Sequence, residues 1–187
     1  EAQDDERFIV NELTKGSTTG SIIHTRFERT RFNEPDAWKY TITNIAKQYY
    51  PKAEANFLTQ LETMLEHVMY TNIITENGIL QLSQISMATC VHELEFDFPL
   101  QKFNVKHLEN LMEGVRIKNG YSEIEGMMNG KVDLFFLHKG KYYILDWKTN
   151  HLGYQTDDYS SQKVVLAMKE NNYHLQYLIY TCAIKKH

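Results

Sequence analysis

Hydrophobic residues recur at helical spacing through the first third of the chain and at alternating spacing after it. In "EPDAWKYTITNIAKQYY", Trp38, Ile42, Ile45 and Tyr49 fall on one helical face. In "AEANFLTQLETMLEHVMY", Phe57, Leu61, Leu65 and Val68 do the same. An earlier helix is predicted in "GSTTGSIIHTRFERT", where Thr18 or Thr19 can cap and Ile23 lies four residues before Phe27. The period then changes. "CVHELEFDFPL" alternates, with Glu93, Glu95 and Asp97 on one side and Leu94, Phe96 and Phe98 on the other. "VKHLENLMEGV" predicts a short helix, "NGKVDLFFLHKGKYYILDWK" a hairpin, and "SSQKVVLAMKENNYHLQYLIYTCAIKK" one long closing helix. Helices, then strands, then a helix predict an α+β or mixed α/β domain without internal repeats.

The hairpin carries chemistry. Asp146 and Lys148 lie two apart in what reads as a strand, so both point to one face, while Tyr143, Leu145 and Trp147 point to the other. Either the charges neutralise each other as a buried pair, or they act on something that reaches that face. With Lys139-Gly140 as a two-residue turn, His138 faces Lys141. Carried back along the hairpin, that register sets Asp133 opposite Asp146, with Cβ atoms roughly 4.5–5.5 Å apart. A slip of one residue would send one carboxylate to the other face. Adjacent carboxylates both ionise comfortably only with a cation between them. Lysine supplies part of that. A divalent ion such as Mg²⁺ does so with hard oxygen ligands, and a metal-bound water beside an ammonium is equipment for phosphodiester hydrolysis.

Other residues admit two readings each. His24 follows Gly20 in the first predicted helix, as a ligand or as an ordinary helical histidine. One of Glu93 and Glu95 can approach the site, the other being a solvated surface charge. Gln176 and Tyr180 are four apart on one helical face, as phosphate-binding groups or as part of the core.

The 187 residues suit one domain, and 42% hydrophobic with 12% aromatic content supports a core. The acidic start "EAQDDERFIV" lacks Met and reads as part of a longer chain, with residues 1–15 as a linker and 16–187 as the domain. No apolar run approaches the ~18 residues of a membrane span. Two cysteines outside any CxxC, Cys90 and Cys182, argue against a cysteine-ligated metal and for reduced thiols, hence a cytoplasmic setting. The net charge of −4 offers no global attraction for nucleic acid, so a polyanion must be held by a local patch. "HTRFERTRF" holds the densest arginine cluster. Arg26 and Arg29 share a helical side, and Arg31 is turned away as a solvated charge.

Together, "GSIIHTRFE", "ELEFDFPL", "GKVDLFFLHKGKYYILDWKTNHLG" and "YSSQKVVLAMKENNYHLQYLIYT" resemble the C-terminal nuclease domain of the RecB family, within the PD-(D/E)xK nuclease superfamily. The resemblance runs from Gly16 to the end and rests on the order His, Glu, Asp, D-x-K, Q-x-x-x-Y. It implies a restriction-endonuclease-like core with a mixed central sheet, a hairpin bearing the site and flanking helices. It implies His24, Asp133, Asp146 and the Trp147 carbonyl as ligands of Mg²⁺, with Mn²⁺ as a substitute, and Lys148 as the catalytic lysine. Glu93, by its E-x-x-F spacing to Phe96, matches the family's acidic residue on the first core strand. Gln176 and Tyr180 match the Q-x-x-x-Y motif that supports the site and the DNA backbone. The implied activity is a DNA exonuclease acting on ends or single strands in double-strand-break repair and recombination. The implied partners are an upstream superfamily 1 helicase region and further helicase–nuclease subunits. The chain departs from the family in two ways: it holds no G-x-x-x-x-G-K-[ST] phosphate loop, and it stops short of an expected last core strand. Two cysteines cannot build the four-cysteine cluster of the Cas4- and AddB-like branches. A catalytically silent copy kept for DNA binding or subunit docking, and an interaction domain with a buried Asp–Lys pair, are the competing functions.

Overall fold

The computed structural model describes residues 24, 27, 30–49, 51, 55–112, 117 and 121–186. The linker expected at residues 1–15 lies outside them. Both amphipathic helices are present, α1 at Pro35–Tyr49 and α2 at Ala55–Tyr70. In α2 the predicted stripe is the buried one: Leu61 and Leu65 are buried, and Phe57 and Val68 pack against the core. The side chains of Trp38, Ile42 and Ile45 lie outside the described set, and Tyr49 is exposed. A small hairpin follows, β1 at Ile73–Thr75 and β2 at Gly78–Leu80. Then come β3 (Cys90–Asn104), α3 (Val105–Leu111), β4 (Glu123–His138), β5 (Lys141–Leu145), a 3-10 turn at Thr156–Tyr159, α4 (Ser161–Glu170) and α5 (Tyr173–Lys186). The strands β3-β4-β5 form a three-stranded antiparallel sheet in a mixed α and β fold compatible with a PD-(D/E)xK core. Among the described residues, no helix is long and apolar enough to cross a membrane.

The chain divides into two compact units, Glu1–Glu93 with Asp133–His151, and Leu94–Val132 with Leu152–His187. In the first, Phe27, Phe32, Leu61, Leu65, Met69, Leu80, Leu82, Ile85, Leu134 and Phe136 form one buried cluster. Tyr143, Leu145 and Trp147 pack against it, so the inward parity read for the second hairpin strand holds. In the second unit, Tyr180 and Ala183 of α5 are buried, and Tyr180 meets Phe96 edge-on at 5.8 Å. Gly130 lets the Phe96 ring lie close, because a Cβ there would come within 2.6 Å of it.

The β4–β5 register is the predicted one: His138 pairs with Lys141 and Leu134 with Leu145. Both turn residues take positive φ, Lys139 at 49° and Gly140 at 76°, as a type I′ turn requires. Three expectations need correction. The strand bearing the D-x-K stretch ends at Leu145, and Asp146–Asn150 lie outside it. The Trp147 N–H is donated to the Asp133 side chain instead of continuing the ladder. The alternation expected from Glu93 to Asp97 breaks at its first member, because Glu93 takes φ 52°. The long closing helix is two helices, parted at Asn171 and Asn172, where Asn172 adopts φ 55°. Asparagine tolerates that conformation, which ends α4.

Lys139 is the strained member of the turn, since a left-handed conformation suits Asn far better than Lys. Lys139→Asn is expected to raise stability by about 0.5–1 kcal/mol, measured by urea unfolding. A loss of stability would contradict the turn assignment.

Candidate active site

The site grows from the open end of the β4–β5 hairpin. Asp133 stands on β4 next to Leu134, the last residue paired with β5, and Asp146 follows Leu145, its partner. The two carboxylates therefore each stand one residue beyond the last pair of the ladder. Their proximity is felt electrostatically, because Asp146 pushes the Asp133 pKa up.

Asp133 is the hub. Its side chain is 13% exposed, and its Oδ2 accepts the Trp147 N–H at 2.7 Å. The His24 Nδ1 lies 3.3 Å from the same oxygen. Its pKa is raised above the ordinary aspartate range, chiefly because burial strips water from the carboxylate. The Trp147 hydrogen bond and His24 oppose that rise, while the negative charges of Asp146 and Glu93 add to it. Glu93 is thus close enough to act on Asp133, and its left-handed backbone sits at this point of β3. Lys148 closes an ion pair between its Nζ and Asp146 Oδ2. The D-x-K charges therefore meet although the strand has ended.

His24 reaches Asp133 from a helical residue whose neighbour in the next turn, Phe27, is buried. Phe27 stacks on Trp147 with ring centroids 3.9 Å apart and planes 16° from parallel. Trp147 thereby serves twice, its ring holding the helical segment and its N–H holding Asp133. This contact escaped the sequence reading. The available signal was the spacing itself: Phe27 is one turn past His24, and Trp147 lies between Asp146 and Lys148.

The remaining candidates divide. Glu95 is an exposed charge paired with Lys131 at 3.3 Å, the solvated member expected of the Glu93–Glu95 pair. Gln176 Nε2 donates to Tyr180 Oη at 2.7 Å, so the Q-x-x-x-Y residues do share a face. They belong to the second compact unit, whereas His24, Glu93, Asp133, Asp146 and Lys148 belong to the first. Arg26 and Arg29 lie outside the described residues. Arg31 is exposed and paired with Glu34 at 3.2 Å, consistent with a surface charge.

Among the described residues, no three His, Cys, Asp or Glu are drawn together closely enough to hold a metal ion. The donors that meet are one imidazole and one carboxylate, with a second carboxylate one residue beyond the last pair of the ladder. The carboxylate oxygens suit Mg²⁺ or Mn²⁺ in kind, whereas an imidazole is the less usual donor for such hard ions. The crowding of negative charge around Asp133 favours a cation there.

The raised Asp133 pKa makes a prediction for stability. Protonated Asp133 favours the fold. Its contribution is fully present below the unfolded-state pKa and is lost as pH rises through the higher folded-state value. In chelator, the wild type should therefore lose stability relative to Asp133→Asn as pH rises through that window. Parallel unfolding curves across the window would show that Asp133 is not destabilised by ionisation.

No family model matches the chain. Curated relatives do. The chain is 32% identical over 196 residues to RecBCD enzyme subunit RecB of Borreliella burgdorferi, covering 98% of this chain and 16% of that protein. It is 28% identical over 189 residues to the same subunit of Escherichia coli K12, covering 95% and 15%. The match to the Haemophilus influenzae subunit is 28% over 181 residues, covering 94% and 15%. The chain thus spans about 15% of the length of the curated relatives it matches.

Proposed function

We propose that this chain, a member of the RecB family, is a divalent-metal-dependent DNA nuclease module that hydrolyses phosphodiester bonds in double-strand-break repair and recombination. The observation that carries the reading is the meeting of His24 with Asp133 beside the Asp146–Lys148 pair. Residues 16–187 form the nuclease domain, and residues 1–15 lead in from an upstream helicase region. The substrate is DNA, taken as ends or single strands and degraded as an exonuclease does. Its partners are that helicase region and further subunits, in the cytoplasm.

His24, Asp133, Asp146 and the Trp147 carbonyl would hold Mg²⁺ or Mn²⁺. When bound, the ion would acidify the attacking water and stabilise charge on the phosphate. The protein's own groups do the rest. His24 turns its Nδ1 to Asp133 Oδ2 at 3.3 Å, so an ion shared with Asp133 would take the lone pair of that nitrogen. Lys148 balances Asp146 in the resting site, and its ammonium would face the charge that develops as the phosphate is attacked. Glu93 adds negative charge beside Asp133 and completes the acidic set on the β3 side. Gln176 and Tyr180 would steady the site and the DNA backbone, with Arg26 and Arg29 drawing in the polyanion.

Cleavage of single-stranded and duplex DNA, with Mg²⁺ and with chelator, tests the reading. Asp146→Ala should abolish cleavage while the fold persists, because the change also relieves a like-charge repulsion on Asp133. Near-normal degradation by that variant in Mg²⁺ would refute the site. Lys148→Gln should retain Mn²⁺ affinity by calorimetry yet lose ~10²-fold or more in rate. A fall in metal affinity equal to that of Asp146→Ala would instead make Lys148 part of the binding set.

A further inference from the structure

The β4–β5 hairpin carries two cross-strand aromatic stacks, one on each face. Phe136 and Tyr143 stack at 5.2 Å on the inward face, against the core. Phe135 and Tyr142 stack at 5.3 Å, with planes 11° from parallel, on the outward face. Core packing accounts for the inner stack. The outer one leaves Phe135 half-buried and Tyr142 68% exposed, with Leu137 opposite Tyr142 at 36%. A cross-strand ring pair helps fix hairpin register, but that role needs only ring–ring contact and leaves the open side of Tyr142 without a use.

Strand parity says where this face leads. Phe135 and Leu137 follow Asp133 at two-residue steps on β4. Tyr142 and Ile144 lie opposite Leu137 and Phe135 on β5, which ends one residue before Asp146. The apolar strip is the continuation of the β4 face that carries Asp133, which feels the charge of Asp146, within one compact unit. Tyr142 lies opposite Leu137, which is four residues from Asp133, about 14 Å along the strand at ~3.4 Å per residue. That is the length of about four stacked nucleotides. Between Asp133 and Asp146 the hairpin contains no carboxylate, and its tip carries Lys139, which is exposed, and Lys141, which pairs with Glu76. A protein partner would need only the apolar strip. A strand of bases and phosphates uses the exposed ring, the acid-free stretch and the run into the carboxylate pair together.

We infer that Tyr142, backed by Phe135, is a stacking platform that holds the unpaired bases of single-stranded DNA on the approach to the carboxylates. The inference rests on the nuclease reading for its ligand and adds the group that favours unpaired bases over duplex. Every base has a π-face, so the platform is indifferent to sequence. In a duplex those faces are stacked on neighbouring bases.

The test measures binding apart from cleavage. In chelator, at one fixed salt concentration, the 187-residue chain is titrated with a labelled oligothymidylate and with an abasic oligonucleotide of equal length. The wild type should bind the base-bearing strand about tenfold more tightly. Tyr142→Ala and Tyr142→Leu should bring the ratio close to one, and Tyr142→Phe should keep it. The Leu variant preserves apolar area, so a ratio retained in it would overturn stacking. A wild type indifferent to bases would overturn the platform too, and would point to a protein occupant if the chain then self-associates through this face. Asp146→Ala should keep the wild-type ratio. An intact ratio in a chain that never cleaves DNA would refute the nuclease reading and leave the platform standing.

Discussion

The hydrogen bond from the Trp147 N–H to Asp133 Oδ2 is the contact on which the site depends. It ends the β4–β5 ladder by giving a backbone donor to a side chain. In doing so it fixes Asp133 against the segment that carries Asp146 and Lys148. It also sets the Trp147 indole against Phe27, one helical turn from His24. Through its amide and its ring, Trp147 therefore links β4 with Asp133, the segment after β5 with Asp146 and Lys148, and the helical segment with His24. Aromatic pairs of this kind contribute about 0.5–1.5 kcal/mol beyond their buried area, and this one acts where misplacement of His24 would matter most.

The electrostatics follow from that construction. Burial alone would leave Asp133 reluctant to ionise, and Asp146 and Glu93 make it more so. Two groups work in the other direction, the backbone N–H and His24, while Lys148 is spent on Asp146. The arrangement holds more negative charge than its own cations balance at Asp133. That imbalance destabilises a resting protein and suits a site that takes up a divalent cation. The left-handed backbone of Glu93 fits the same pattern, since strained conformations persist where the surrounding structure fixes them and gather at functional sites.

Much of this was legible in residue order. The type I′ turn at Lys139-Gly140 sets the register, whose last pair, Leu134 with Leu145, leaves Asp133 and Asp146 one residue beyond it, near enough for Asp146 to act on Asp133. The helical stripe of α2 and the inward parity of Tyr143, Leu145 and Trp147 were plain from periodicity. What failed was local and had physical causes. Alternation cannot foresee that a side chain will take over a ladder hydrogen bond, so periodicity carries the strand past Leu145. Nor can it foresee a left-handed residue inside a strand, as at Glu93, or between helices, as at Asn172. The Phe27–Trp147 stack joins residues 120 positions apart in sequence, a separation that no periodicity spans.

The central claim is that His24, Asp133 and Asp146 converge on one divalent cation. Anomalous diffraction from crystals grown with Mn²⁺ tests it most directly. The account predicts a manganese peak bounded by the Asp133 and Asp146 carboxylates and the His24 imidazole, absent from crystals of Asp146→Ala. A peak elsewhere on the chain, or none at saturating Mn²⁺ with those three residues ordered, would contradict it.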